Sequence, residues 1–478
     1  MKKMIPFSLA LLTGLAVLSC SSSNDDEQPA PPTPVVPAGK FLTQTCNMAA
    51  ETSESIITLS GLSSQVTSTE GSAPWLTVTL QPYTSGEPQV KVSCTENTQT
   101  TTRQQAVTFI AATDTLVLTV CQAAAATPTV PSRFVGGDIS LLTKYEKQGA
   151  QYKDRSGQAI SDVIQFLKEQ GWNTLRVRLF VDPTKSSDTK SCVQDLDYVV
   201  SLGRRIKQAG MLFMLDFHYS DTWADPAAQW TPASWLSLDD TQLAQKVYDY
   251  TTECLQQLKA AGATPDFIQT GNEISFGMLW GPEGTSQNRC YTNSPAAAWN
   301  RFYSFLRQAT RACREQCPQA NIILHSERVP NTGVLTDYFD RMKAQDIDYD
   351  VIGLSYYPYF HGKLDQLKNA LQALVDKNYG KKIQIVECGY PFKWAVGGST
   401  VDYTDTYPLT NEGQRSFTAD LIDVLRQYSQ VEGLSWWYPE ANAYGCSGDL
   451  KNGWYNASLF DNETGKALDA LYEMQNFK

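Results

Sequence analysis

The chain has 478 residues, of which 42% are hydrophobic and 19% are charged, so it is neither disordered nor fibrous. Its 50 acidic and 39 basic residues give a formal net charge of −11, which would repel nucleic acid or any other polyanion, so a neutral or cationic partner is expected. At roughly 100 to 200 residues per domain, this length allows a few domains, or one large α/β barrel with an appendage.

Residues 1–20 have the pattern of an export signal. Two lysines precede an apolar stretch, residues 5–18, that is too short to cross a bilayer. Val17-Leu18-Ser19-Cys20 resembles the lipobox of bacterial lipoproteins, although an ordinary secretory signal that happens to contain Cys20 is the alternative. The polar, acidic tether that follows favours the lipoprotein. We therefore expect an exported protein that is held at the outer membrane, on the cell surface, by lipid on Cys20.

Two spacers divide the rest of the chain. Residues 21–39 are rich in proline and cannot build a packed core, and residues 123–131 read AAAATPTVP. Tryptophan usage changes at the second spacer: of the 11 tryptophans, Trp75 precedes it and the others lie between Trp172 and Trp454. These features predict one domain at 40–122 and a second at 132–478.

The first of these domains is rich in Thr and Ser and contains short runs that alternate apolar and polar residues, at 75–80, 89–94, 106–110 and 115–120. Such alternation between polar turns predicts a small antiparallel β-sandwich. Trp75, Asn97, Arg103 and the final Val120-Cys121-Gln122-Ala123 resemble a BACON module, a fold found at the N-termini of exported glycan-active proteins. Glycan binding and a spacer role are both open, and we favour a stalk because no aromatic cluster is present.

The second domain alternates buried-strand runs with amphipathic segments. One such segment carries Ile160, Val163, Ile164 and Leu167 at helical spacing before Gly171. Eight strands are predicted, at 134–140, 174–181, 211–218, 266–273, 321–327, 350–357, 382–387 and 433–438. The pattern predicts an α/β fold, a (β/α)₈ TIM barrel preceded by the small all-β sandwich, with its active site at the C-terminal ends of the barrel strands.

Two carboxylates stand at such strand ends. Glu273 ends the fourth predicted strand directly after Asn272, and Glu387 ends the seventh. Opposed carboxylates at a barrel mouth suit glycoside hydrolysis, in which one protonates the leaving oxygen and the other attacks or activates water. A salt-bridged strand end is the alternative for either residue alone, but the combination with Asn272 is much more specific.

The barrel sequence resembles glycoside hydrolase family 53, the endo-β-1,4-galactanases of clan A. The run Leu215-Asp216-Phe217-His218-Tyr219-Ser220-Asp221-Thr222-Trp223-Ala224-Asp225-Pro226 is similar to the hallmark of that family. Further matches, in chain order, are Gly137-Asp138-Ile139-Ser140, Arg176-Val177-Arg178, Gly271-Asn272-Glu273-Ile274, Gly277-Met278-Leu279-Trp280, Gly353-Leu354-Ser355-Tyr356-Tyr357-Pro358, Glu387-Cys388-Gly389-Tyr390-Pro391 and Tyr407-Pro408-Leu409-Thr410. The matches cover essentially the whole barrel.

The resemblance implies double displacement with net retention. Glu273 is then the general acid/base and Glu387 the nucleophile, with carboxyl groups about 5 to 5.5 Å apart. Arg178 is the expected donor that keeps Glu387 ionised, and a structural pair with Asp216 is its alternative. Asn272 is expected to bind the sugar 2-hydroxyl, and Tyr356 to donate its hydroxyl to the nucleophile. The full set of expected substrate-binding residues is Asp138, Arg178, Asp182, His218, Trp223, Asn272, Trp280, Tyr356 and Trp437.

No cofactor or catalytic metal is predicted. His218 precedes Asp221 and Asp225, but without a second histidine nearby we expect it to line the sugar site rather than bind zinc. A structural Ca²⁺ in the loop 397–405 is left open. Of the ten cysteines after Cys20, an odd number falls in each domain, so some of them are free thiols.

The predicted function is internal cleavage of neutral β-1,4-galactan by a monomer. A hydrolase of mannan or glucan is one alternative, because galactose differs in its axial 4-hydroxyl and one sequence does not fix the contacts that read it. A glycan-binding lipoprotein with an inactive barrel is the other, and the presence of both Glu273 and Glu387 argues against it.

Overall fold

The computed structural model describes residues 39–99, 101–124, 133–285, 287–448, 450 and 454–478. The chain divides into two units, Met1–Val130 and Pro131–Lys478. The export signal and Cys20 lie outside the described residues, so the lipid anchor stays a prediction. No helix within the described ranges has the length and apolar character needed to cross a bilayer.

The first unit is a β-sandwich, as predicted. Its strands are β1 (Phe41–Met48), β2 (Ser53–Thr58), β3 (Ser68–Glu70), β4 (Leu76–Leu80), β5 (Gln89–Cys94), β6 (Arg103–Ala111) and β7 (Asp114–Gln122). They form two sheets, in the orders β1-β7-β6-β3 and β2-β5-β4, and a single apolar core joins side chains of both.

Two details of this unit differ from the prediction. β1 pairs with β7 in parallel, whereas the sequence pattern indicates a wholly antiparallel arrangement. β1, β2 and β3 are also additional to the predicted strands. β1 escapes detection because polar side chains such as Gln44 occupy part of its inward-facing row, which weakens the period-two pattern.

The second unit is a closed barrel of eight parallel strands, which confirms the predicted fold. The barrel strands are β8 (Phe134–Asp138), β11 (Thr174–Leu179), β12 (Leu212–Phe217), β13 (Phe267–Thr270), β14 (Asn321–Ser326), β15 (Val351–Tyr356), β16 (Lys382–Cys388) and β17 (Val431–Trp437). β17 pairs with β8 and closes the ring. A two-stranded ribbon, β9 (Tyr152–Lys153) and β10 (Ala159–Ile160), lies outside it.

Helices alternate with the barrel strands. They are α1 (Leu142–Lys147), α2 (Val163–Glu169), α3 (Leu196–Gln208), α4 (Asp240–Ala260), α5 (Ala296–Gln316), α6 (Thr332–Ala344), α7 (Pro358–His361), α8 (Leu364–Lys377), α9 (Asn411–Arg426) and α10 (Asp469–Glu473). Asp162 begins α2, because its side chain accepts hydrogen bonds from the amides of Ile164 and Gln165. Ile160 therefore precedes this helix and belongs to β10.

The barrel interior is filled in layers. Inward positions near the start of the strands form an apolar plug of Phe134, Met214, Phe267, Ile323, Val351 and Val386. One step further along the strands the inward side chains are polar and buried, among them Arg176, Asp216, Gln269 and His325. Parallel strands bring these polar side chains to the same end of the ring, which is where a barrel of this type can hold a site.

The ten described cysteines are all free thiols. Cys388 is buried on the outer face of β16, where it packs against the helices, as the strand alternation predicts.

Candidate active site

Glu273 lies in a strained turn immediately after β13. Its φ of 49° is in the left-handed region, which is uncommon for a residue with a side chain. Gly271 prepares the turn, since its φ is 111° and a Cβ there would lie 2.6 Å from Ile274. The turn continues into a 3₁₀ helix, Ile274–Phe276, so the Glu273 side chain is held at the barrel mouth.

Glu387 reaches the same mouth through an irregularity in β16. The register between β15 and β16 shifts after Leu354, so that Ser355 lies opposite Glu387 instead of Val386. Such a bulge re-aims side chains, and here Val386 enters the apolar plug while Glu387 lines the cleft above it.

The two carboxylates converge. A carboxylate oxygen of Glu273 and one of Glu387 lie within 4.8 Å of each other. The hydroxyl of Ser355 stands between them, donating to Oε1 of Glu273 at 2.6 Å and lying 3.5 Å from Oε2 of Glu387. This separation matches glycosidases in which the second carboxylate attacks the sugar directly, because those that place a water between the groups need about 6.5 to 9.5 Å.

Arg176 is the cation that faces Glu387. Its Nη2 lies 2.8 Å from Oε1 of Glu387 and also donates to Asp216 at 2.8 Å and to Asn272 at 2.9 Å. Its Nη1 donates to Asp138 at 2.8 Å. The guanidinium is 1% exposed, so these charge-assisted bonds form in a region shielded from water and fix the Glu387 carboxylate in place.

The prediction that Arg178 holds Glu387 is therefore wrong. Arg178 donates to Asp138 and to the carbonyl of Ser191, and its guanidinium lies over the ring of Trp223 at 4.5 Å. Both arginines face the barrel interior because they are two residues apart on β11. Arg176 lies one step deeper, and at that level it meets Glu387.

The prediction that Tyr356 contacts the nucleophile is also wrong, by one residue. Tyr356 points outward and donates to the carbonyl of Gly362. Tyr357 donates instead to Oε2 of Glu387 at 2.7 Å. Successive side chains of a strand point to opposite faces. Since Ser355 faces the interior, Tyr356 faces the helices and Tyr357 faces the cleft.

His325 supports the other carboxylate. Its Nε2 lies 2.8 Å from the hydroxyl of Ser355, and its Nδ1 lies 2.8 Å from Nε2 of Gln269. Because Ser355 gives its own proton to Glu273, His325 must donate from Nε2 and accept at Nδ1. Burial, and then the nearby Arg176, lower the pKa of His325 well below its usual value, so the neutral ring that this pattern needs is the stable form.

Both ring nitrogens of His218 are bound to protein groups, so neither is available to a metal ion. Its Nδ1 accepts from the amide of Ala224 at 3.0 Å, and its Nε2 lies 3.1 Å from Asp216. The ring lines the cleft, the position predicted for it from the sequence. With both nitrogens bound to protein groups, His218 orients Asp216 and the cleft wall.

The environments of the two carboxyl groups differ. Burial, and then the charge of Glu387, raise the pKa of Glu273 well above its usual range, and no cation touches that side chain among the described contacts. Burial also raises the pKa of Glu387, but Arg176 and the Tyr357 hydroxyl oppose this rise. Glu273 therefore holds a proton more readily, and Glu387 remains the anion.

One group of potential metal ligands occurs in the described part of the chain, formed by Glu273, His325 and Glu387. It does not suit a cation, because the Arg176 guanidinium already contacts Glu387 and both nitrogens of His325 are engaged. In the loop 397–405, Asp402 accepts hydrogen bonds from Thr404, and that segment contributes to no such ligand group. The calcium site stays a prediction.

Aromatic rings form one wall of the cleft, whose volume is about 520 Å³. Trp437 lies between Trp223 and Trp454, with ring centroids 6.0 and 5.0 Å away. The indole N–H of Trp223 donates a hydrogen bond to the carboxylate of Asp188 at 2.9 Å, which fixes the ring. Such rings offer the apolar faces on which sugar rings stack.

Replacing Trp437 with alanine is expected to weaken substrate binding. Loss of a stacking face should raise KM by roughly 10- to 100-fold and lower kcat less. Steady-state kinetics on a soluble glycan substrate measures both constants. Trp280→Phe is the matched control and should leave KM within about twofold, because Trp280 is buried outside the cleft. Equal effects from both variants would contradict the stacking role.

Three other predicted substrate contacts lie elsewhere. Trp280 is 1% exposed and donates to the carbonyl of Phe276, so it is a packing residue. Asp182 is outside the cleft lining and caps the 3₁₀ helix Pro183–Lys185. Asp138 is fully buried beneath the cleft, where its carboxylate binds Arg176 and Arg178. The strand-end position alone does not distinguish these residues from those at the cleft surface.

Asn272 does line the cleft, beside Glu273. One hydrogen of its Nδ2 is used by the carbonyl of Ala224 at 2.8 Å, and its Oδ1 accepts from Arg176. The second Nδ2 hydrogen remains to serve a ligand. Its contact with a sugar hydroxyl stays a prediction.

Reasoning from the sequence misses five side chains of the site. They are Arg176, Gln269, His325, Ser355 and Tyr357. Each occupies an inward position of a barrel strand or the position just after a strand. A strict count of alternation would therefore have marked them as candidates, without assigning the contact that each one makes.

Known proteins share this barrel. Residues 134–474 match the family model described as Glycosyl hydrolase family 53. The chain is 30% identical over 349 residues to an arabinogalactan endo-β-1,4-galactanase of Thermothelomyces thermophilus, covering 71% of this chain and 98% of that protein. A relative with the same name in Cellvibrio japonicus is 32% identical, with 69% and 86% covered.

A solved structure has a similar fold. The GH53 catalytic domain of Ignisphaera aggregans superposes with a TM-score of 0.61 at 32% identity, covering 73% of this chain and 97% of that domain. The family match extends over most of the barrel unit and includes both strand ends that carry the paired carboxylates. The chain therefore belongs to glycoside hydrolase family 53.

Proposed function

We propose that the protein is a retaining endo-β-1,4-galactanase in which Glu273 is the acid/base and Glu387 the nucleophile. The observation that carries the proposal is the pair of carboxylate oxygens within 4.8 Å at the barrel mouth. Only Glu387 of the two has a cation against it. A protonated acid and an anionic nucleophile at this separation are what double displacement needs.

In the first step Glu387 attacks the anomeric carbon. A carboxylate oxygen of Glu387 forms a bond to that carbon while the glycosidic C–O bond breaks, and the proton of Glu273 moves to the leaving oxygen. Arg176 and Tyr357 hold the nucleophile in one orientation before the attack, so little reorganisation is required. The product is a glycosyl ester of Glu387 and a shortened polymer with a free hydroxyl.

In the second step water replaces the ester. Glu273, now ionised, takes a proton from the water, whose oxygen bonds to the anomeric carbon as the ester bond breaks. Glu387 is released as the carboxylate and Glu273 regains its proton, so the sugar has the configuration it began with. The Ser355 hydroxyl, oriented by His325, donates to Oε1 of Glu273 and leaves the other oxygen to exchange the proton.

Three observations support galactan as the substrate. Relatives that cover most of the barrel are named arabinogalactan endo-β-1,4-galactanases. The net charge of −11 disfavours polyanions such as polygalacturonate. The aromatic wall of Trp223, Trp437 and Trp454 suits an uncharged sugar chain.

Product analysis tests the proposal. Purified protein is incubated with β-1,4-galactan, β-mannan and β-glucan, and the products are followed with time by chromatography and by NMR of the new reducing ends. We expect release from galactan alone, as a mixed ladder of oligomers whose new ends are first seen as the β anomer. Faster release from mannan or glucan would overturn the substrate assignment, a lone disaccharide would overturn internal cutting, and an initial α anomer would overturn retention.

A further inference from the structure

Besides Glu273 and Glu387, three carboxylates line the cleft, those of Asp188, Asp225 and Glu327, and of these Glu327 is the one bonded to the turn that carries Glu273. Glu327 directly follows β14, and its side chain is 3% exposed. A buried carboxylate is costly unless it has partners or a task, so its contacts indicate what it does.

One oxygen of Glu327 is tied to the turn that carries Glu273. Its Oε1 accepts from the hydroxyl of Ser275 and from Nε of Arg328, both at 2.5 Å. Arg328 in turn lies over the ring of Phe276, with its Cζ 4.2 Å from the centroid. Ser275 and Phe276 belong to the 3₁₀ helix Ile274–Phe276 that follows Glu273. Glu327 therefore holds that helix directly at Ser275 and, through Arg328, at Phe276.

The turn needs an anchor because it is strained. A side-chain-bearing residue in the left-handed region costs on the order of 1 to 3 kcal/mol, and it persists only where surrounding contacts determine it. Glu273 has this conformation, and the Ser275 bond fixes the turn two residues further on.

The Glu327 carboxyl is paired with a cation on one side only: burial raises its pKa, and the ion pair of its Oε1 with Arg328 opposes that rise and favours the charged form. Its Oε2 is buried and accepts no hydrogen bond from the residues that the structure describes. The titratable groups that face Glu273 are Glu387, Glu327, Asp225 and Tyr357, together with the His325 imidazole. Arg328, Glu273 and Tyr338 surround Glu327. After burial and Glu387, Glu327 is the next cause that raises the pKa of Glu273.

We propose that Glu327 is a positioning residue for the catalytic acid: its carboxylate, fixed by Ser275 and Arg328, holds the turn that carries Glu273 and keeps the proton on that side chain. The inference rests on the proposed role of Glu273. Since an acid that must be protonated fails as the pH rises through its pKa, Glu327 extends the activity of the enzyme toward alkaline pH.

Two variants separate the charge of Glu327 from its anchoring bond. Glu327→Gln keeps an acceptor for Ser275 and Arg328 but removes the charge, so the alkaline limb of kcat/KM on galactan should move to lower pH by about one unit. Ser275→Ala removes the hydrogen bond to Glu327 but keeps the charge of Glu327. We therefore expect kcat to fall roughly tenfold or more, while the alkaline limb of kcat/KM stays nearly unchanged. Glu327→Met, uncharged and of similar volume, is the second variant should the glutamine protein fail to fold.

An activated substrate shows whether the alkaline limb of kcat/KM reports the proton on Glu273. A dinitrophenyl β-glycoside of galactobiose needs no proton on its leaving group, so the alkaline limb should flatten for the wild type and for Glu327→Gln alike. A limb that is unmoved in a folded, uncharged Glu327 variant, or that shifts equally with both substrates, would overturn the inference. If the wild type does not cut galactan, the proposed function is wrong. If the wild type is active but the alkaline limb of Glu327→Gln is unchanged, only the role of Glu327 is wrong.

Discussion

The change of Glu387 to alanine is expected to lower kcat on galactan roughly 10⁵-fold, because it removes the proposed nucleophile. The variant should remain folded, since Glu387 lies at the cleft surface and Arg176 keeps Asp138 and Asp216 as partners. Reducing-end release measures the loss, and the thermal unfolding midpoint checks the fold. A variant that keeps more than about a hundredth of the wild-type kcat would rule out Glu387 as the nucleophile.

Azide distinguishes the two carboxylates. In Glu387→Ala, azide can enter the space of the lost side chain and attack an activated galactoside from that face, giving the α-galactosyl azide. In Glu273→Ala, Glu387 still forms the ester with an activated substrate, and azide attacks from the opposite face to give the β-galactosyl azide. NMR of the products assigns the roles, and the same anomer from both variants would contradict the assignment.

The barrel was open to prediction because its signals are local and repeated. The buried parallel strands are short runs of four to seven residues in which apolar side chains recur, and they alternate with helices that carry an apolar stripe, so errors at single boundaries do not change the fold. β1 shows the limit. Its inward row includes Gln44, and its parallel pairing with β7 joins segments about 75 residues apart, which no local pattern specifies.

The convergence of Glu273 and Glu387 at the barrel mouth was open to prediction, whereas the contacts of the surrounding residues were not. Glu273 and Glu387 occupy strand ends within recognisable motifs. The choice between Arg176 and Arg178 depends on depth along β11, and the choice between Tyr356 and Tyr357 depends on which face the strand presents. The β15–β16 bulge adds a register shift that only the assembled sheet reveals.

Arg176 is expected to have the largest effect on stability. It is 1% exposed and contacts the carboxylates of Asp138, Asp216 and Glu387. Replacing it with methionine leaves these charges buried without their shared cation, so the free energy of unfolding should fall by about 3 to 5 kcal/mol. Urea denaturation of the full chain at neutral pH, followed through the barrel transition, measures the loss.

The pH dependence of that loss tests its cause. Burial opposes ionisation of Asp216, yet Arg176 and His218 outweigh it and lower the pKa of this carboxyl. In the wild type, Asp216 therefore contributes stability that is present above its unfolded pKa and is lost as the pH falls through the lower folded pKa. Without Arg176 the folded pKa should rise, so the deficit of Arg176→Met should be largest near neutral pH and shrink on acidification.

Arg205→Met provides the matched control. Arg205 makes a two-pronged bond to Glu146 at 2.7 and 2.8 Å, but both side chains are about a third exposed. Its loss should cost less than about 1 kcal/mol. Arg176→Lys keeps the charge but cannot reach all its acceptors, so it should fall between the two in stability and still lose much of kcat. A deficit for Arg176→Met that equals that of Arg205→Met, or that does not change with pH, would show that the buried guanidinium does not hold the Asp216 carboxylate ionised.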